Sequence, residues 1–160
     1  MLNSFSKLES SKVYKSWKKK NKDSFLCSCF FTDDENNWQF DFYLPKKDMI
    51  KTFVVEDLNI KELADSRIFR NDKSNMKVLN LDDVKIDFDE ALKIMDNIKN
   101  QKYKSENVLR KIVVLQYIKR QLWNMTFLMS SLNLLNVRID SESGKVLSEN
   151  VENIMKFKAS

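Results

Sequence analysis

The sequence predicts an α+β protein of two helix-plus-antiparallel-sheet units, with the helices packed on one face of the sheet. Apolar residues recur at helical spacing in residues 2–20 and 87–101, and period-two alternation of aromatic and β-branched residues follows each segment. The only glycine lies between two such alternating runs. We therefore expect one unit in residues 1–80 and another in residues 81–160, either as separate halves or on one shared core.

The first unit begins with a predicted helix over residues 2–20, where lysines separate the regularly spaced apolar residues. Apolar residues at every second position then predict a three-strand meander over residues 24–32, 38–44 and 50–56. Pro45 ends the second strand, because proline cannot donate a hydrogen bond to a ladder.

Residues 57–86 carry weaker signals. We expect a short helix over residues 60–69, a polar turn over 70–75, and one or two extended pieces over 76–86. The connection between the two units is therefore the least defined part of the predicted fold.

The second unit begins with the strongest predicted helix, residues 87–101. Asp87 or Asp89 can cap its N-terminus, and an apolar stripe of Ala91, Leu92, Met95 and Ile98 follows. Period two then predicts four strands, and a short final helix follows them. The strands span residues 109–118, 122–129, 135–140 and 145–149, and the helix spans 150–158 with Val151, Ile154 and Met155 inward.

Gly144 is predicted to be the left-handed residue of a hairpin bulge between the last two strands. An ordinary L-residue in that conformation costs roughly 1–2 kcal/mol, whereas glycine adopts it freely. Asp140 precedes the turn and can accept hydrogen bonds from its backbone. Both residues are therefore expected to be structural rather than ligand-binding.

A short motif spans the second unit and consists of Glu90, Ala91 and Leu92 on the helix, Trp123 on a strand, and Ile139, Asp140, Ser143, Gly144 and Val146 on the hairpin. On this motif, residues 87–149 resemble the PepSY (peptidase propeptide) domain. The resemblance implies an antiparallel sheet packed on a helix. It also implies a non-enzymatic role, either inhibiting or chaperoning a peptidase or acting as a sensor or interaction domain. Members of that family are usually exported or membrane-linked.

The two units also resemble each other in layout. Trp38 and Trp123 each open a strand in the middle of a meander, and a helix precedes each meander. The first unit is therefore either a diverged copy of the second or an unrelated stretch of amphipathic β-structure.

The composition excludes several classes of enzyme. The chain has no histidine, so histidine-dependent nucleophiles and histidine metal sites are excluded, and one glycine cannot form the common phosphate-binding loops. Cys27 and Cys29 are expected to be buried thiols, and the acidic runs 33–35 and 82–90 to be turns and caps. We therefore predict a protein that is not an enzyme, with no catalytic residue, cofactor or metal.

The net charge of +5 is concentrated in residues 1–22, which contain seven lysines and one glutamate. The candidates for binding an anionic partner are Lys15, Lys18, Lys19, Lys20 and Lys22. These lysines could contact nucleic-acid phosphates while Trp17 stacks on a base, or they could lie on an anionic membrane surface. Alternatively, they form a solvated helix end near the negative helix C-terminus.

Trp38, Phe40 and Phe42 share one face of a predicted strand, and together with Trp123 they are the candidates for binding a protein partner. We therefore predict a protein- or peptide-binding module that uses a sheet face or edge, regulating a peptidase or serving as an interaction domain. The alternative is a structural subunit that buries this face by self-association. The sequence leaves the partner and the oligomeric state open.

The location is predicted to be cytoplasmic. No apolar run has the length of a membrane span, and no apolar segment near the start precedes a small-residue cleavage site. Two cysteines on one strand are consistent with a reducing compartment.

Overall fold

A computed structural model of the chain describes residues 1–67 and 76–155. In this part of the chain, nine strands form one antiparallel sheet in the order β4-β3-β2-β1-β6-β7-β8-β9, and β5 pairs with β3. The strands are β1 (Phe25–Thr32), β2 (Trp38–Leu44), β3 (Met49–Val55), β4 (Ile60–Glu62), β5 (Ser66–Arg67), β6 (Val108–Tyr117), β7 (Gln121–Met129), β8 (Asn133–Asp140) and β9 (Val146–Asn153). The helices are α1 (Leu2–Ser10), α2 (Lys12–Lys20) and α3 (Phe88–Lys102).

The strands of both predicted units join side by side at β1 and β6. Cys29 pairs with Leu115, and Phe30 pairs with Val114. The α+β class with an antiparallel sheet is therefore confirmed. A division into two units is not shown, because the sheet runs from β4 to β9 without a break.

The predicted helix over residues 2–20 is two helices, so that prediction is wrong in its continuity. Ser11 lies between them with an extended backbone, φ −68° and ψ 148°. Its hydroxyl accepts a hydrogen bond from the Tyr14 N–H (3.1 Å) and so caps α2. The predicted helix over residues 87–101 is confirmed as α3, and Asp87 and Glu90 form a capping box at its start.

The seven predicted strands are confirmed, and the differences fall in the connection and the tail. The expected helix over residues 60–69 is wrong, because β4 and β5 occupy its described part. The extended pieces expected over residues 76–86 contain a 3₁₀ turn, Leu81–Asp83. The final helix is wrong at Val151, which lies in β9. The predicted turn over residues 70–75 and the end of the tail lie outside the described residues.

The core lies between the sheet and the helices. Leu8 of α1, Tyr14 of α2, and Ala91 and Met95 of α3 are buried against the inward side chains of the sheet. Burial of this apolar area is the main term that stabilises such a fold. Among the described residues, no helix combines the length and the apolarity that crossing a membrane requires.

Candidate interaction surfaces

The four aromatic residues predicted to bind a partner lie in the core. Trp38 is 6% exposed, Phe42 is 2% exposed, and Phe40 and Trp123 are fully buried. The rings of Trp38 and Trp123 lie 6.4 Å apart, and Trp17 packs 5.4 Å from Phe42. The expectation of a partly exposed face made of these residues is therefore wrong, because α1, α2 and α3 cover it. Self-association through that face is excluded for the same reason.

The β8–β9 hairpin predicted around Gly144 is confirmed as a pair of antiparallel strands. Gly144 has φ +73°, in the left-handed region, and its N–H donates to the Asp140 carbonyl (2.9 Å). The irregularity in the ladder falls later than expected, between the pairs of Val146 and Ser148, so Leu147 is the unpaired residue.

Asp140 organises this turn through its carboxylate. Oδ1 accepts hydrogen bonds from the N–H groups of Glu142 (3.0 Å) and Ser143 (2.9 Å) and from the Ser143 hydroxyl (3.0 Å). Oδ2 accepts from the Arg120 guanidinium at 3.0 Å. These donors, the Ser143 N–H above all, lower the pKa of Asp140 to about 2. Asp140 therefore accepts hydrogen bonds from the backbone of the turn, as the sequence predicts.

Ile86 joins this turn to the sheet and to α3, a role that the sequence did not indicate. Its N–H donates to the Ser141 carbonyl (2.9 Å), and its carbonyl accepts from the buried Trp123 indole (2.9 Å). A Cβ on Gly144 would lie 3.3 Å from Ile86 Cδ1. The backbone conformation therefore favours glycine, and a side chain at this position would in addition require Ile86 to shift by a few tenths of an ångström.

A cavity of about 430 Å³ lies beside the same corner of the molecule. Its charged lining consists of Lys85, Lys119, Arg120, Asp83, Asp140 and Glu142. Three cations and three carboxylates balance, so the lining favours neither an anionic nor a cationic ligand. Among the described residues, no group of three carboxylate or thiol ligands is placed to hold a metal ion.

Both cysteines are buried, as expected. Cys29 has no exposed surface and Cys27 is 5% exposed. Burial raises the pKa of Cys27 to about 12 and raises the pKa of Cys29 further still. Neither thiol is therefore activated as a nucleophile near neutral pH.

The sheet face away from the helices carries a half-buried carboxylate. Asp41 accepts hydrogen bonds from the hydroxyls of Ser28 (2.7 Å) and Thr52 (2.6 Å), on the two neighbouring strands. Burial raises the pKa of Asp41, and the two hydroxyls partly offset this. Because each carboxylate oxygen accepts from a different neighbouring strand, Asp41 ties three strands together.

The lysines predicted to bind an anionic partner divide into two sets. Lys15, Lys19, Lys20 and Lys22 are exposed. Lys18 instead donates to the carbonyl of Ser24 and to its hydroxyl (3.0 Å), and so fastens the end of α2 to the start of β1. Trp17 packs on Phe42 and Phe53, and thus the predicted stacking of this ring on a base does not fit its position.

Strand β9 forms one outer edge of the sheet. It pairs with β8 on one side, and most of its residues are exposed. Ile154 follows the strand, and its N–H donates to the Leu132 carbonyl (3.0 Å). In an antiparallel ladder the bonding direction alternates by residue, so Val151 and Glu149 direct their N–H and C=O groups away from β8.

Comparison with known proteins gives one match, to a solved structure. No family model matches the chain, and no curated protein matches it. The crystal structure of a protein from Clostridium difficile 630, described as a "putative lipoprotein", matches with a TM-score of 0.55 and 15% identity. The match covers 88% of this chain and 90% of that one. The likeness shows the fold, an α+β layer of helices on a large antiparallel sheet.

Proposed function

We propose that this protein is a non-enzymatic module that binds a protein or peptide by adding the partner's strand to the free edge of β9. The observation that carries the proposal is this eight-residue outer strand, exposed along most of its length. Main-chain hydrogen bonds supply the affinity in such strand addition, and side chains at alternate positions supply the specificity.

The regular part of β9 after Leu147 is long enough for this role. Ser148 to Asn153 pair with β8 without a further irregularity. On the helix side of this segment, the Glu149 carboxylate accepts hydrogen bonds from Lys102 (2.6 Å) and Tyr103 (3.2 Å). These two bonds fix β9 against the end of α3, so a partner strand would meet a preorganised edge.

The PepSY resemblance supports a peptidase as the class of partner. Two residues that carry the resemblance, Trp123 and Gly144, both lie next to Ile86, which directly precedes the N-cap of α3. A peptidase-regulating role would use β9 as the strand presented to the enzyme. The cytoplasmic location remains part of the same proposal.

The test is Val151→Pro, compared with Val151→Thr. Proline is tolerated at an edge position whose N–H faces solvent, so the change should remove the outward donor and leave the β8–β9 ladder intact. We expect wild type and Val151→Thr to retain the same stoichiometric partner from native lysate, and Val151→Pro to lose it. Affinity for the recovered partner should fall by about tenfold for each hydrogen bond lost.

Two results would contradict the proposal. One is recovery of no stoichiometric partner by the wild-type protein. The other is equal retention by wild type and Val151→Pro, which would place the contact away from this edge. Circular dichroism of both variants provides the control for folding.

A further inference from the structure

The outer face of α2 and the turn after β3 form a second surface, which we call the α2 surface. It consists of Lys12, Val13, Lys15, Lys19, Lys20 and Leu58. Val13 and Leu58 line the same shallow depression, at the junction of α1 and α2. None of these residues belongs to β9, so the α2 surface is independent of the edge discussed above.

Leu58 is presented to solvent by an ordered turn. Leu58 is 99% exposed, and Val13 is 40% exposed. The Glu56 N–H donates to the Asn59 carbonyl (2.9 Å), and the Lys7 ammonium donates to the carbonyls of Glu56 (2.7 Å) and Asp57 (2.5 Å). A fully exposed leucine held in place in this way is available to a partner without rearrangement of the turn.

The lysines around these apolar side chains form a cationic face. Lys12, Lys15 and Lys19 follow helical spacing and lie on the side of α2 opposite the buried Tyr14. Among the described residues, none of these three lysines forms an ion pair with a carboxylate. Within residues 7–22 and 56–60, seven lysines stand against three carboxylates. This end of the molecule is therefore positive, although residues 23–160 together carry a net charge of −1.

We propose that the α2 surface docks on an anionic phospholipid bilayer, with the lysines over the headgroups and with Leu58 and Val13 entering the interface. Clustered lysines next to a membrane are attracted by its negative surface potential, and exposed apolar side chains add affinity by burial. A single strand of nucleic acid fits less well. Trp17, the tryptophan of α2, packs 5.1 Å from Phe53 on the sheet side of that helix, whereas the three lysines lie on its opposite side, so they do not form one surface for a base and its phosphates.

The test is sedimentation of the full chain with phosphatidylcholine vesicles, with and without roughly 30% phosphatidylserine. We expect binding only to the vesicles that contain phosphatidylserine, and loss of binding as salt rises from about 50 to about 500 mM. Replacing Lys12, Lys15 and Lys19 together by glutamine should weaken binding by on the order of a hundredfold, at about fivefold per lysine. Leu58→Ser should weaken it by about tenfold.

The control variant carries the same change in charge elsewhere, with Lys93, Lys104 and Lys145 replaced by glutamine, and it should bind as wild type does. Equal binding to both kinds of vesicle would overturn the proposal, as would unchanged binding of the α2 triple variant. A third arm measures fluorescence polarisation of a mixed-sequence single-stranded RNA oligonucleotide. Tighter binding to this RNA than to the vesicles would also overturn the proposal, in favour of nucleic acid.

Discussion

The two outer edges of the sheet differ in how far they are protected from pairing with another strand. At one edge the short strands β4 and β5 pair with β3, and the Lys51 ammonium, buried beneath them, donates to the Leu63 carbonyl (2.7 Å). At the other edge, β9 pairs only with β8 among the residues that the structure describes. Short strands and inward charges are ways in which proteins protect an edge from pairing with other chains. This difference in protection is the reason that we propose β9, and not β4 or β5, as the strand to which a partner adds.

The difference also lies in how each edge is attached. The edge at β3 is closed by ion pairs from Lys51 to Glu62 (2.6 Å) and Asp65 (3.4 Å). The edge at β9 is held by a hairpin whose turn depends on Gly144 and Asp140. The β3 edge is thus attached by ion pairs between residues more than ten positions apart in the sequence, and the β9 edge by hydrogen bonds within one short turn. Separate substitutions can therefore disturb each edge without directly altering the other.

Gly144→Ala should have the largest effect on the free energy of unfolding. The change lies in the turn that holds the β9 edge, which we call the open edge. A left-handed alanine costs roughly 1–2 kcal/mol, and its Cβ would also press on Ile86, so we expect a loss of about 2–4 kcal/mol in the free energy of unfolding. Urea denaturation followed by circular dichroism measures this loss. Glu142→Ala in the same turn is the matched control, with an expected change within about 0.5 kcal/mol. A loss for Gly144→Ala as small as that of the control would contradict the expectation that this position needs glycine.

Lys51→Met tests the edge of β3 that β4 and β5 cover, which we call the closed edge. It should have the next largest effect on the free energy of unfolding. The substitution leaves Glu62 and Asp65 without their shared cation, and both are partly solvated, so we expect a loss of about 1–3 kcal/mol. The edge of β3 should then become available, so the variant should self-associate more with concentration than wild type does. Light scattering measures the association, and Lys61→Met, at an exposed position of β4, is the control. If Lys51→Met remains as monodisperse as that control, Lys51 does not protect the edge.

The same contrast between local and distant interactions explains what the sequence could predict. The β8–β9 hairpin and α3 were predictable, because Gly144, Asp140 and the Asp87–Glu90 capping box act within a few residues. The strands β4 and β5 were not, since their short segments are strands only through pairing with β3. The break between α1 and α2 depends on one serine cap within a continuous apolar pattern, which helical spacing does not reveal.

The candidate sites were harder to predict than the fold. Aromatic density led to the wrong prediction that Trp38 and Trp123 bind a partner, because the sequence could not show that three helices cover this face of the sheet. Leu58 lies in a region without a clear pattern, and its exposure depends on the turn that Lys7 holds from α1. The lysine cluster was visible in the sequence, although Lys18 belongs to the core boundary rather than to the exposed set.

Asp140→Asn should have the smallest effect on the free energy of unfolding. The pH dependence of this effect tests whether the charge of Asp140 helps to hold the open edge. Because the pKa of Asp140 is lowered to about 2 in the folded protein, the carboxylate stabilises the fold above its unfolded pKa of about 3.9. This contribution is lost as the pH falls from about 4 towards 2. Allowing for the solvated Arg120 partner, we expect wild type to exceed Asp140→Asn by about 1–2 kcal/mol at neutral pH.

The difference in the free energy of unfolding between wild type and Asp140→Asn should therefore decrease below a pH of about 4 and disappear near a pH of about 2. Urea denaturation of both proteins at a series of pH values measures it, and Glu142→Gln is the control that changes one exposed carboxylate of the same turn. A difference in the free energy of unfolding that stays constant between neutral and acid pH would mean that ionisation of Asp140 does not stabilise the turn. The open edge would then owe its position to Gly144, and the charge of Asp140 would play no part in the contrast with the closed edge.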